Sequence, residues 1–233
     1  MTAQSAGRIL FPLILVVSAA CSETPERPLG ISPEPTVGPT GTSSPSPGAP
    51  AEGCLTEDPT PLSATWTTLA SSSGSYSFAY PADWEDVSGD IGATADDLLA
   101  PETLEELGLT SESIPGDFVQ DPASGDNVGA WSFGQAESSI ETIAQRQIDL
   151  FGSSPGVSVT DLGAEGCLSG ERALGLELQG TVAGEGTRYQ KLLYVLRDGG
   201  LYLLYIDAAD AASEEVFDEV VRTWEWSDDA AET

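Results

Sequence analysis

Histidine is absent from this chain of 233 residues, which removes several kinds of catalytic site at once. Ser-His-Asp and Cys-His catalysis need an imidazole as general base, and histidine metal sites need it as a ligand. A Ser-Lys catalytic pair would need Lys191, the one lysine of the chain. No serine stands three residues before Lys191, and it lies in a predicted strand. No glycine-rich phosphate loop follows a predicted strand. The sequence therefore predicts that the protein is not an enzyme and holds no cofactor.

Carboxylates are the remaining side chains with reactive chemistry, because the chain has 38 acidic residues against 8 basic ones. Asp83, Glu85 and Asp86 flank Trp84, and a glycosidase uses paired carboxyl groups while sugars stack on tryptophan. Such an enzyme needs one carboxyl group with a raised pKa, and nothing in the sequence indicates that these groups are buried. In so acidic a chain, neighbouring carboxylates also arise by chance, and we favour that interpretation.

A second polar group contains Asp121, Asp126 and Asn127, whose side chains are of types that bind calcium. Their spacing is not that of an EF-hand loop. A solvated acidic loop explains them better, so the sequence predicts no metal site.

The formal net charge of −30 limits the partners of this protein. An acidic surface repels phosphate backbones and anionic head groups, so we expect neither nucleic acid nor a lipid surface to bind it directly. Solubility, salt adaptation or a genome's preference for arginine would explain the charge without any function, and we favour these over a dedicated cation store.

Cys21 follows an N-terminus of the export type. Arg8 precedes the short apolar run Ile9–Val17, and the small residues Ser18–Ala20 lead into the cysteine. The run is shorter than the ~20 apolar residues that span a bilayer. This order resembles the lipobox of bacterial lipoproteins, although that family prefers leucine where Ser18 stands. The resemblance implies that Cys21 is acylated and anchors the mature protein to the extracytoplasmic face of the membrane. Ordinary secretory cleavage before a free Cys21 is the alternative.

Two further cysteines remain if Cys21 carries lipid. Outside the cytoplasm such a pair is usually oxidised, so we predict a disulfide between Cys54 and Cys167.

Composition divides the chain into four parts. Residues 1–20 are the predicted signal peptide, and residues 21–53 hold 8 of the 16 prolines and no aromatic residue. Such a segment cannot bury enough apolar surface to fold, and we predict a disordered tether with a reach of roughly 90 Å. Residues 54–229 form one globular domain, and residues 230–233 are a disordered tail.

Apolar periodicity predicts the elements that must position these side chains. We expect strands at Trp66–Leu69, Ser75–Tyr80, Asn127–Phe133, Val157–Leu162, Ala173–Thr181, Tyr189–Leu196, Leu201–Ile206 and Trp224–Trp226, with a hairpin turn at Asp198 and Gly199. We expect helices around Leu98–Leu107, at Ser138–Phe151 with a capping box of Ser138 and Glu141, and after a cap at Ser213. Tight turns imply a mostly antiparallel sheet that helices must cover, so the fold class is α+β, a three-layer α/β/α sandwich.

The stretch Tyr76–Trp84, an aromatic strand followed by Pro-x-x-Trp, resembles the start of PsbP-like domains. That superfamily includes the photosystem PsbP proteins, the Ran-binding Mog proteins and the LpqN-type lipoproteins of actinobacteria. The predicted order strand, hairpin, strand, helix, strand at the C-terminus is also similar, and the resemblance covers Gly74–Trp226. It implies a PsbP-like sandwich and a non-catalytic role in docking onto other proteins, without any contact residue that can be carried over.

Two functions are therefore open. One is a lipid-anchored binding or assembly module of the cell envelope, whose partner is another envelope protein. The other is an envelope carrier of lipid or glycolipid, which needs a large apolar cavity.

Overall fold

A computed structural model of the chain describes residues 65–89, 93–94, 98–109, 113–114, 116–154, 156–182, 186–209 and 214–227. The predicted signal peptide, tether and tail lie outside these ranges, as do Cys21 and Cys54. Within the described ranges, no helix is long and apolar enough to cross a membrane.

The described residues form twelve strands and three helices. In chain order these are β1 (Trp66–Ala70), β2 (Tyr76–Pro81), β3 (Glu85–Asp86), β4 (Ala93–Thr94), α1 (Pro101–Leu107), β5 (Ser113–Ile114), β6 (Asp117–Gln120), β7 (Asn127–Gln135), α2 (Ile140–Gly152), β8 (Val157–Leu168), β9 (Glu171–Val182), β10 (Gly186–Arg197), β11 (Gly200–Ala208), α3 (Glu214–Thr223) and β12 (Glu225–Trp226). Every predicted strand is present, while β3, β4, β5 and β6 were not predicted. Ser213, the predicted cap of α3, lies outside the described residues.

Seven of the described strands make one antiparallel sheet in the order β3-β6-β7-β11-β10-β9-β8. The predicted turn between β10 and β11 is confirmed: Asp198 and Gly199 have φ angles of 51° and 81°. Positive φ at both turn residues suits the right-handed twist of the flanking strands. Ser169 and Gly170 make the same kind of turn between β8 and β9, with φ angles of 47° and 85°.

Alternating side chains of the large sheet enter two separate apolar clusters. In β10, Leu192 and Tyr194 belong to one cluster, and Leu193 and Val195 belong to the other. Because successive side chains of a strand point to opposite faces, the clusters lie on the two sides of the sheet. Both faces of the sheet are therefore buried.

Different elements cover the two faces. Side chains of α1 and α2 pack into the first cluster. Side chains of β1, β2 and α3 pack into the second, together with Trp226 of β12. The predicted mostly antiparallel sheet with helices packed against it is confirmed. The covering of the second face differs from the prediction, because β1, β2 and β12 form a small sheet of their own there.

The N-terminus of α2 corrects one prediction. The capping residue is Ser139, whose side chain accepts a hydrogen bond from the backbone N–H of Thr142, and not Ser138. Ser138 instead donates its backbone N–H and its hydroxyl to Glu106 of α1. Glu141 forms an ion pair with Arg172 of β9. Both residues of the predicted capping box therefore contact side chains from other elements of the fold.

Gly129 of β7 leaves room for two buried aromatic rings. A Cβ atom there would lie 2.5 Å from Cε1 of Phe118 and 2.6 Å from Cε1 of Tyr205. We expect Gly129→Ala to destabilise the fold by about 1–3 kcal/mol, since both rings would have to move. Gly134→Ala in the same strand is the control, because its Cβ would meet nothing closer than the Leu107 carbonyl at 3.8 Å. Urea denaturation of both variants measures the difference, and equal midpoints would contradict it.

Candidate functional site

The predicted lipid and disulfide sites lie mostly outside the described part of the chain. Cys167 is half-buried near the end of β8, where it stands opposite Arg172 of β9. Because Cys21 and Cys54 belong to residues 1–64, the lipid anchor and the Cys54–Cys167 disulfide stay predictions.

The three carboxylates around Trp84 lie at an edge of the large sheet. Glu85 and Asp86 form the edge strand β3, and Asp83 lies in the turn before it. All three are exposed to solvent. A glycosidase acid is held protonated by an apolar environment, and exposed carboxylates have none. We therefore still favour chance adjacency in an acidic chain over a glycosidase site as the interpretation of these three carboxylates.

Two half-buried aromatic residues, Tyr80 and Trp84, lie close to these carboxylates in the chain. Both pack on the second apolar cluster. Trp66 also packs on this cluster, but it stands opposite Pro81, so its side chain points to the other face of the small sheet from that of Tyr80. We refer to the five residues Tyr80, Asp83, Trp84, Glu85 and Asp86 as the aromatic–acidic corner. Burial, and next the Asp86 carboxylate, raise the pKa of Tyr80.

Backbone hydrogen bonds fix the shape of this corner. Ala82 donates its N–H to the Thr65 carbonyl over 2.8 Å, which joins the start of β1 to the end of β2. Trp84 donates to the Pro81 carbonyl over 3.0 Å and closes the turn before β3. The backbone N–H of Ser88 donates to Oδ1 of Asp86 over 2.9 Å. The rings and carboxylates are thus carried on an ordered backbone.

The residues considered for calcium have separate partners. Asp121 accepts hydrogen bonds from the N–H of Ala123, at 2.8 Å, and the hydroxyl of Ser124, at 2.7 Å. Asn127 accepts from the hydroxyl of Tyr205, and Asp126 bonds to Arg188. Among the described residues, no group of three or more Cys, Asp or Glu side chains is placed to hold a metal ion.

Asp126 belongs to a buried charge network that the sequence analysis missed. Arg188 of β10 donates Nε–H to Oδ1 of Asp207 over 2.8 Å and Nη1–H to Oδ1 of Asp126 over 3.4 Å. The Ala209 N–H also donates to Asp126, over 2.9 Å. Burial raises the pKa of Asp207, while the Arg188 guanidinium opposes this effect. Asp207 and Asp126 are 19 and 62 residues from Arg188 in the chain. No local sequence pattern could therefore have predicted this network.

Every basic side chain of the described residues has an acidic partner. Arg8 and Arg27 lie outside the described ranges, which leaves six of the eight basic residues. The pairs are Arg146–Glu106, Arg172–Glu141, Arg188 with Asp126 and Asp207, Lys191–Glu177, Arg197 with Glu171 and Asp198, and Arg222–Glu219. These six basic side chains are too few to neutralise most of the acidic side chains of the domain.

The fold is that of an α+β domain with a mostly antiparallel sheet, and two solved structures are similar to it. One is the solution structure of cyanobacterial PsbP (CyanoP) from Synechocystis sp. PCC 6803, with a TM-score of 0.45, 13% identity and coverage of 71% of this chain and 94% of that chain. The other is the crystal structure of LpqN, a protein involved in cell envelope biogenesis of Mycobacterium tuberculosis. Its TM-score is 0.35, its identity 17%, and the coverage is 72% of this chain and 81% of that chain.

No protein-family model and no curated protein matches the sequence. The two structures come from groups that the sequence resembles. The lipid anchor and the docking role implied by that resemblance stay predictions.

Proposed function

We propose that this protein is a lipid-anchored, non-catalytic binding module on the extracytoplasmic face of a cell envelope, and that its domain docks onto a basic surface of another envelope protein. The observation that supports this most is the pairing of all six described basic side chains with acidic ones. The remaining carboxylates favour a cationic partner and repel polyanions. A tether raises the local concentration, so a weak interface suffices.

Crosslinking on intact cells that carry the tagged full chain, followed by pull-down and sequencing of the partner, tests the proposal. We expect one reproducible protein, whose association with the purified chain slows several-fold between about 0.01 M and 0.15 M salt. Association that does not change with salt would contradict a charge-driven interface. Recovery of bound lipid with no protein partner would support the carrier function instead.

Anchoring is tested separately at Cys21. Replacing Cys21 with alanine should move the protein from the membrane fraction to the soluble fraction or the medium, because acyl chains would have no attachment point. Ser22→Ala is the control and should stay in the membrane fraction. If the Cys21→Ala protein is retained equally, the anchor lies elsewhere.

The proposed disulfide joins residues 54 and 167, which are 113 positions apart. Closing such a loop stabilises a fold by roughly 2–5 kcal/mol through the entropy of the unfolded chain. Peptide mapping without reduction should show the Cys54 and Cys167 peptides joined. Two free thiols in freshly exported protein would sink this prediction.

A further inference from the structure

We propose that the aromatic–acidic corner is the docking surface, and that its occupant is an arginine-rich segment of the partner protein. This inference rests on the proposed function and assigns its site and the chemistry of its ligand. The three exposed carboxylates Asp83, Glu85 and Asp86 supply acceptors, and Tyr80 and Trp84 supply ring surface beside them. A guanidinium group both pairs with carboxylates and stacks on aromatic faces, whereas an ammonium group is a compact, strongly hydrated charge.

The domain already contains one example of this recognition. The guanidinium of Arg197 lies 5.0 Å from the ring centroid of Trp226. It also pairs with Glu171 at 3.9 Å and with Asp198 at 3.6 Å. One tryptophan and two carboxylates thus hold an arginine of the chain itself.

The aromatic–acidic corner offers the same groups without a cation of its own. The six basic side chains of the described ranges are paired at other places in the domain. Within those ranges, Asp83, Glu85 and Asp86 take part in no ion pair. An external arginine is therefore the group that complements this surface in charge and in shape.

Packing keeps the rings available to a partner. Tyr80 and Trp84 each pack on the second apolar cluster with one part of the ring and remain partly open to solvent with the rest. β3 is attached to the large sheet through Glu85 opposite Gln120 and Asp86 opposite Val119. A partner that binds here meets a surface already ordered, so little conformational entropy is lost in the domain.

The test uses the full chain and a fluorescently labelled hexa-arginine peptide, with binding followed by anisotropy at low salt. The triple variant Asp83→Asn, Glu85→Gln, Asp86→Asn should raise Kd by about tenfold, since each lost charge pair is worth a fraction of a kcal/mol. The matched control neutralises three exposed carboxylates of the helices on the opposite face: Glu102→Gln, Glu105→Gln, Asp149→Asn. It should change Kd by about twofold or less.

Trp84 gives an independent measurement. Trp84→Ala should weaken binding by about threefold to fivefold, and Trp84→Phe should retain most of the affinity because an aromatic face remains. If the two triple variants lose affinity equally, or if Trp84→Ala binds like the parent, attraction is general and the corner is not the site, while the proposed function stands. If the parent chain does not bind the peptide at all, the proposed preference for a basic partner fails as well.

Discussion

Replacing Arg188 with alanine is expected to destabilise the fold by about 3–5 kcal/mol. The guanidinium lies between the carboxylates of Asp207 and Asp126, and the side chains of all three are at most 7% exposed. Without it, the buried carboxylates of Asp126 and Asp207 would lose the guanidinium that pairs with both of them. Removing one member of a buried ion network costs far more than the net stabilisation that the network provides, because the remaining charges stay desolvated.

Arg172→Ala is the matched control for this prediction. The ion pair of Arg172 with Glu141 is exposed on both sides, at 34% and 53%. Exposed pairs contribute about 1 kcal/mol or less. Urea denaturation at neutral pH should therefore separate the two variants clearly. Asparagine at positions 126 and 207 in the Arg188→Ala background should recover part of the loss. If Arg188→Ala is as stable as Arg172→Ala, the network is not the source of stability that its burial indicates.

Trp131→Ala is expected to cost about 3–5 kcal/mol through lost burial and the cavity left behind. Trp131 is 1% exposed and is the largest of the fully buried side chains in the described residues. Its ring meets Phe118 edge-on with 4.9 Å between centroids and lies 5.0 Å from Tyr205. These rings connect β6, β7 and β11, so the loss should be felt in the middle of the large sheet.

Trp131→Phe separates packing from hydrogen bonding. The indole N–H of Trp131 has no hydrogen-bond acceptor among the described residues. Phenylalanine keeps an apolar ring in the site and removes a donor that makes no bond there, so its cost should be well below that of alanine. Thermal unfolding of the three proteins gives the comparison. A phenylalanine variant as unstable as the alanine variant would show that the indole N–H is needed.

The local parts of the fold could be predicted because their causes are local. Turn chemistry identified Asp198 and Gly199, where two positive φ angles are required. Alternation placed Trp131 and Phe133 on one face of β7, and both contribute to the first apolar cluster. A helical stripe of apolar residues identified α2 but not its cap. Ser139 caps the helix, and Ser138 is hydrogen-bonded to Glu106 of another helix. A pattern within ten residues carries no information about such a distant competitor.

The candidate site was visible in part. Asp83, Trp84, Glu85 and Asp86 stood out as neighbours in the chain. Whether the carboxylates were buried or exposed depended on β3 lying at the edge of the sheet. The sequence indicated the residue types, and the exposure of these carboxylates came from tertiary structure.

The sequence by itself determined what chemistry is impossible without histidine, where the helices and most of the described strands run, and that the surface is acidic. Tertiary structure decided which strands are neighbours: β12 returns to pair with β2, and β7 pairs with β11 across more than sixty residues. It also decided that Arg188 meets Asp126 and Asp207 in the interior. The physical reason is that periodicity and turn chemistry act between residues close in the chain. Strand order and charge pairing are instead set by which distant surfaces bury each other best.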